Sequence, residues 1–150
     1  MMTDRIERSI HIAAQPEKVW RALTDHEEFG EWFRVKLGGP FALGELSTGY
    51  ITYPGYEHLK WEARVVAMEA PRRFAFTWHP YAVDPDRDYS GEPPTRVEFT
   101  LEPADGGGTR LTVVESGFDR IPAERRDEAL RMNTGGWEAQ VGNVKAHAER

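Results

Sequence analysis

The chain has 150 residues, 39% of them hydrophobic, and a formal net charge of −6, enough for one compact domain that buries roughly 68 to 70% of its unfolded surface. Charges of both signs are interspersed without a basic block, which leaves no electrostatic footprint for nucleic acid or an anionic membrane as partner. No cysteine is present, so disulfides, thiolate metal sites, thiol nucleophiles and thiol redox chemistry are excluded.

The first residues, MMTDRIERSI, lack an apolar signal region, and no segment reaches the ~20 apolar residues of a membrane span. The expectation is a soluble, cytoplasmic chain with one domain over 1–150. In RIERSIHI, Ile6, Ile10 and Ile12 share one parity and Glu7, Ser9 and His11 the other, the period of a half-buried first strand. Pro16 then suits a helix start, and Val19, Trp20 and Leu23 follow at helical spacing until Thr24 and Asp25 interrupt. A second short helix carries Phe29, Trp32 and Phe33 and is expected to end at GGP, 38–40.

Five runs rich in β-branched and aromatic residues come next: FALGELSTGYITY, LKWEARVVAM, RRFAFTWH, TRVEFTLE and TRLTVVESGF. They read as successive strands of one antiparallel meander. EAPRR at 69–73 and ADGGG at 104–108 supply turn chemistry between them, as does YPGYE at 53–57. Residues 80–94, PYAVDPDRDYSGEPP, hold four prolines among acidic residues and read as a long, mobile loop. Pro122 stands near the start of a last helix, whose apolar row Trp137, Val141, Val144 and Ala148 makes one face.

The order of strand, two short helices, antiparallel strands and long terminal helix resembles the START-like superfamily. Within it, the chain resembles the branch named for homologues of the activator of heat-shock protein 90 ATPase. The resemblance rests on VWRALTDHEEFGEWF (19–33), APRRFAFTWH (70–79), TRVEFTLEPADGGGTRLTVVESGF (95–118) and GGWEAQVGNV (135–144), in that order. It implies an α+β helix-grip fold, a curved antiparallel sheet wrapped around the C-terminal helix, with a cavity between them for an apolar small molecule. Under it, Gly135 and Gly136 would mark a close approach of the last helix to the sheet, or a break before the longer helix starts.

Strand parity selects the side chains of that interior. Trp61 and Val65 lie with Ala63 and Ala67 on one face, Phe76 and Trp78 with Phe74 on the next, and Phe99 with Val97 and Leu101 on the one after. Val113 and Glu115 share a face with Leu111, and Arg8 shares one with the isoleucines of the first strand. With Trp32 from the second helix and Trp137 and Val141 from the last, these are the candidate ligand contacts, around a pocket of ~300 to 1,000 Å³. The first and last strands are neighbours in the helix-grip topology, so Arg8 and Glu115 could meet across them, either as a polar handle for a ligand or as an ion pair at the sheet's end.

Catalytic chemistry has a thinner basis. His11, His26, His58, His79 and His147 show no metal-ligand spacing, and DGGG is not followed by the Lys-Ser or Lys-Thr of a phosphate-binding loop. His79 with Tyr81 is the pair that could serve as acid and base. The sequence reading is therefore a binding module for an apolar or aromatic ligand, with no cofactor and no metal. A protein-interaction domain like the family's namesake is the alternative, and a polyketide cyclase- or hydrolase-like enzyme stands behind it. Ligand, physiological partner and oligomeric state are not specified.

Overall fold

The computed structural model describes residues 5–84 and 86–150. Seven strands form one antiparallel sheet: β1 (Arg5–Ile12), β2 (Val35–Leu37), β3 (Leu46–Ile51), β4 (Lys60–Glu69), β5 (Arg73–Trp78), β6 (Thr95–Pro103) and β7 (Thr109–Ser116). Their spatial order is β1-β7-β6-β5-β4-β3-β2. From β2 onward every strand therefore pairs with the next in the chain, and β1 returns to close against β7. Helices α1 (Pro16–Thr24) and α2 (His26–Phe33) follow β1, and α3 (Ala123–Ala148) ends the chain after a 3₁₀ turn at Phe118–Arg120. The sheet curves around α3 in the helix-grip fold.

Local chemistry explains most boundaries. Asp25 serves two helices at once: its N–H donates to the Arg21 carbonyl at the end of α1, while its Oδ1 accepts from the N–H groups of Glu27 and Glu28 at the start of α2. The hairpin after β6 needs left-handed backbone at Gly106, Gly107 and Gly108 (φ 82°, 103° and 84°). At Gly108 a Cβ would also lie 2.5 Å from the Ile12 carbonyl oxygen, so the hairpin excludes any larger residue there.

Two strand assignments change. The first run of the meander contributes only Leu46–Ile51, because Phe41 turns its ring into the core from a loop instead of pairing in a ladder. β2 is new, and α2 ends at Arg34 in the left-handed conformation rather than at GGP. Three residues are too short to show a two-residue period, so Val35 and Leu37 gave no strand signal.

The glycine pair also differs from expectation. α3 runs unbroken through Gly135 and Gly136, and a Cβ built on either meets nothing within 4 Å. Neither a break nor a close approach to the sheet accounts for them. Replacing Gly135 with alanine should therefore raise stability by about 0.5 to 1 kcal/mol, since it removes glycine's excess chain entropy without a clash. Urea denaturation with an unchanged m-value checks this.

Beneath α3, one core joins all layers. Phe29, Phe74, Phe76, Phe118, Leu111 and Ile121 are fully buried, and the α3 row Trp137, Val141, Val144 and Ala148 faces inward. No helix among the described residues is long and apolar enough to cross a membrane.

Candidate functional site

Glu115 lies on the inward parity of β7, opposite Val97 of β6 and Ile6 of β1, and is completely buried. Such a charge would cost several kcal/mol if left unpartnered. Four neutral donors converge on it. Its Oε1 accepts from Asn133 Nδ2 at 2.9 Å and from Trp137 Nε1 at 2.8 Å. Its Oε2 accepts from Trp78 Nε1 at 2.7 Å and from the Thr95 hydroxyl at 2.5 Å. An ionised carboxylate only accepts and has about four lone-pair directions, so this one is saturated.

The secondary structure delivers each donor. Asn133 and Trp137 are one turn apart on α3 and project the same way. Trp78, at the end of β5, is the register partner of Thr95, at the start of β6. The carboxylate thus ties two strands and the helix to one point on β7. Sequence parity placed Glu115, Trp78 and Trp137 in the interior but missed the other two. Thr95 shares its parity with Val97 and Phe99, a legible signal; Asn133 sits four residues before Trp137, which helical spacing could have flagged.

Arg8 does not join this centre. Its register partner is Val113, not Glu115, and its guanidinium runs over the surface to Glu138 of α3 at 3.6 Å. The long side chain reaches water from an inward-parity position because β1 is an edge strand, so the ion pair considered with Glu115 does not form.

The remaining candidates form a dense aromatic interior. Trp61 packs on Phe76 and Trp78 with ring centroids 5.5 Å away in each case, Trp137 stands 5.7 Å from Phe99 and 6.0 Å from Trp78. Val65 and Val113 are fully buried among them, and Val141 nearly so. The space between sheet and helix that was expected to be a pocket is occupied by these rings. Trp32 of α2 is buried as well, its indole N–H donating to the Ala22 carbonyl at 2.7 Å.

Phe33 links this interior to the surface. Half-buried at the end of α2, it lies 5.1 Å from Trp61 and 6.1 Å from Trp78 on its inner side. On its outer side it borders a groove of about 550 Å³ between α2 and α3, with Trp32, Arg34, Tyr53, Gly136 and Gln140 around it. A smaller cleft of about 370 Å³ opens under residues 80–94, bordered by His58, Lys60, His79 and Tyr89.

The long loop read at 80–94 has side-chain ties to α3 on both sides, at Pro80 and Tyr81 and at Glu92. Arg125, near the start of α3, donates from Nε and Nη2 to the Glu92 carboxylate at 2.9 and 2.7 Å and from Nη1 to the carbonyls of Pro80 and Tyr81. Its guanidinium also lies over the Tyr89 ring, 4.7 Å from the centroid. Hydrogen bonds from Arg125, helped by the charges of Arg125 and Arg87, hold the Glu92 carboxyl below the usual range against the opposing effect of burial. A proline-rich, charged composition reports what a segment cannot bury by itself; one bidentate partner from a distant helix changes that.

The acid–base pair considered at His79 and Tyr81 is committed elsewhere. A ring nitrogen of His79 bonds the Glu92 carbonyl at 2.9 Å, and the Tyr81 hydroxyl donates to Glu128 at 3.3 Å. Burial, followed by the Glu128 charge, pushes the Tyr81 phenol above its ordinary value. Among the described residues no three histidine or acidic side chains converge into a set that could hold a metal ion.

Comparison with known proteins adds to this geometry. The family model described as "Activator of Hsp90 ATPase homolog 1-like protein" matches residues 13–149. The crystal structure of protein MLL2253 from Mesorhizobium loti is 25% identical, each chain covering 97% of the other, with a TM-score of 0.75. The Aha1 dimer from Colwellia psychrerythraea, solved in solution, is 18% identical over 98% of this chain and 97% of that one, with a TM-score of 0.71. DynU16, a protein in the dynemicin biosynthetic locus, is 22% identical over 99% of this chain and 48% of its own length, with a TM-score of 0.74. A search of the curated proteins finds no match.

Proposed function

Since the chain belongs to the family of activator of Hsp90 ATPase homologue 1-like proteins, we propose that it is a small-molecule binding module, whose apolar or aromatic ligand is held between the curved sheet and α3. One observation carries this reading. The aromatic rings of the interior continue without a gap from Phe99 and Trp137 through Trp78 to half-buried Phe33, beside an open groove large enough for a small ligand. Binding then means repacking: a flat ligand replaces ring–ring contacts with equivalent contacts to itself, at little loss of dispersion or hydrophobic energy.

Saturation of Glu115 shapes the chemistry. With its four donors in place it offers no free hydrogen-bonding position, so the interior recognises its ligand by shape and apolar area. For the same reason it lacks the unengaged acid or base that the enzyme reading requires.

Titration with a panel of neutral aromatic probes should quench tryptophan emission saturably, at one probe per chain, because Trp61, Trp78 and Trp137 line the occupied space. Native mass spectrometry of the purified protein should find a bound small molecule released by mild activation. Unsaturable quenching across a chemically varied panel, with the near-ultraviolet circular dichroism intact, would overturn the reading.

A protein-interaction role has its own observation. Tyr50, Tyr53 and Tyr56 are 57%, 52% and 52% exposed along β3 and the loop after it, and exposed tyrosines are enriched at protein interfaces. The Colwellia relative is a dimer. Under this second reading these tyrosines meet a partner surface, and sedimentation velocity of wild type and Tyr53→Ser would show an association that the substitution weakens.

A further inference from the structure

We propose that the groove between α2 and α3 is the mouth of the interior site, and that its ligand is an apolar or aromatic molecule bearing one anionic group. The ligand passes apolar end first beyond Phe33, and Arg34 holds its anion at the rim. The inference rests on the binding reading above and adds a route, an orientation and a charge to it.

The route follows from the two walls of the groove. On the α2 side, Phe33 is the partition: its ring faces the groove outward and Trp61 and Trp78 inward. A ring at the end of a helix needs only a rotamer change to swing aside, unlike the strand-borne Trp61 and Phe76. On the α3 side, Gly136 and Ala139 keep the wall low, and a Cβ at Gly136 would meet nothing within 4 Å. The glycine that neither breaks the helix nor packs against the sheet thus leaves the groove open.

The charge follows from the rim. Glu31 is engaged, with Arg150 at 3.0 Å and His147 at 3.5 Å. Arg34 is exposed, its guanidinium 5.6 Å above the centre of the Tyr53 ring, and among the described residues it makes no ion pair. It also occupies the left-handed position that ends α2 (φ 68°), where glycine is the unstrained choice. Its backbone is fixed there, because its N–H donates to the Gly30 carbonyl and its carbonyl accepts from Thr52 N–H. A held, unpaired cation stacked on an aromatic ring fits a carboxylate or sulfonate attached to a flat apolar body.

Orientation comes from the two charges together. Trp78, against which Phe33 packs, donates its indole N–H to Glu115. The buried negative charge behind Trp78 repels an anion from the interior, while Arg34 attracts it at the rim. An anionic ligand therefore enters with its apolar end leading.

Two probes with the same ring skeleton test this: neutral N-phenyl-1-naphthylamine and anionic 8-anilinonaphthalene-1-sulfonate. Both should quench tryptophan emission in the wild type, the sulfonate binding about fivefold more tightly at low salt. Arg34→Gln should abolish that preference while leaving the neutral probe's affinity unchanged, and Arg34→Lys should retain part of it. Gly136→Leu fills the groove without straining the helix, so it should slow association of both probes severalfold in stopped-flow quenching, with no fall in melting temperature. An unchanged sulfonate preference in Arg34→Gln would overturn the assigned charge, and unchanged association rates in Gly136→Leu would overturn the route; in both cases continued saturable binding of the neutral probe leaves the binding reading standing. Loss of saturable binding for both probes in the folded wild type would overturn the binding reading and this inference with it.

Discussion

Substituting Glu115 with alanine is expected to remove a large share of the chain's stability. The indole N–H groups of Trp78 and Trp137, the Thr95 hydroxyl and the Asn133 amide would all lose their acceptor; Thr95 and Trp137 are buried, while Trp78 and Asn133 are half-buried and can turn to water. Each buried unsatisfied donor costs about 1 to 3 kcal/mol. The two buried donors alone amount to about 2 to 6 kcal/mol, a large share of the stability of an ordinary domain, about 5 to 15 kcal/mol. The size of the effect can be graded. Thr95→Val removes one donor and leaves the carboxylate three, so the loss should be about 1 to 2 kcal/mol. Glu115→Gln keeps the shape but presents an NH₂ group to donors. The Thr95 hydroxyl can rotate to accept, but an indole N–H cannot, and the loss should be about 2 to 4 kcal/mol. Guanidinium denaturation of Thr95→Val and Glu115→Gln, with far-ultraviolet circular dichroism of Glu115→Ala, reads the order. Near-wild-type stability of Glu115→Gln would mean that the carboxylate's charge is not required by its four donors.

Arg125→Met should cost about 3 kcal/mol, the low end of the range for breaking a buried ion pair by removing one partner, because Arg87 stays on Glu92. The substitution preserves much of the volume but leaves the carbonyls of Pro80 and Tyr81 without their donor and Glu92 with Arg87 alone. Because Arg125 makes most of the bonds between residues 80–94 and α3, beside the Tyr81–Glu128 hydrogen bond and the Arg87–Glu124 pair, amide exchange in that segment should accelerate more than exchange in β6, where the ladder is intact. Equal acceleration in both would show global destabilisation instead of a released segment. The pair also has an acid signature. The Glu92 carboxyl titrates below its ordinary value in the folded chain, so its contribution is fully present above the unfolded-state value, about 4.3, and is lost as pH falls through the folded one. The stability difference between wild type and Arg125→Met should therefore shrink on the acid side of about pH 4.3, and a difference that stays constant down to pH 3 would exclude the ion pair as its origin.

Much of the candidate site was legible because strands report burial by parity and helices by their turn. Trp61, Val65, Phe76, Phe99 and Val113 read inward at period two, and they are buried at those positions. Glu115 stood out as a charge on an inward parity, an anomaly that asks for a partner. Arg8, which parity set where it could meet Glu115, runs over the surface instead, because parity says which face a residue takes, not how far a long side chain travels. The actual partners are neutral, and nothing in a neutral residue's local sequence announces that it will donate to a carboxylate 18 to 37 positions away.

By itself, the sequence determined the alternation and helical faces of this chain, hence most of its elements and their antiparallel order, since each of these depends on hydrophobic pattern and turn chemistry within a few residues; the helix-grip fold came from the resemblance its ordered motifs carry, and β2 left no local signal. Only the tertiary structure decided that aromatic rings close the space beneath α3, that Glu115 is satisfied by Trp78, Thr95, Asn133 and Trp137, that Arg125 holds residues 80–94, and that Gly136 faces an open groove. Those outcomes depend on distances between segments far apart in the chain, and the reach of a side chain across a packed interior is set by neighbours that no local window contains.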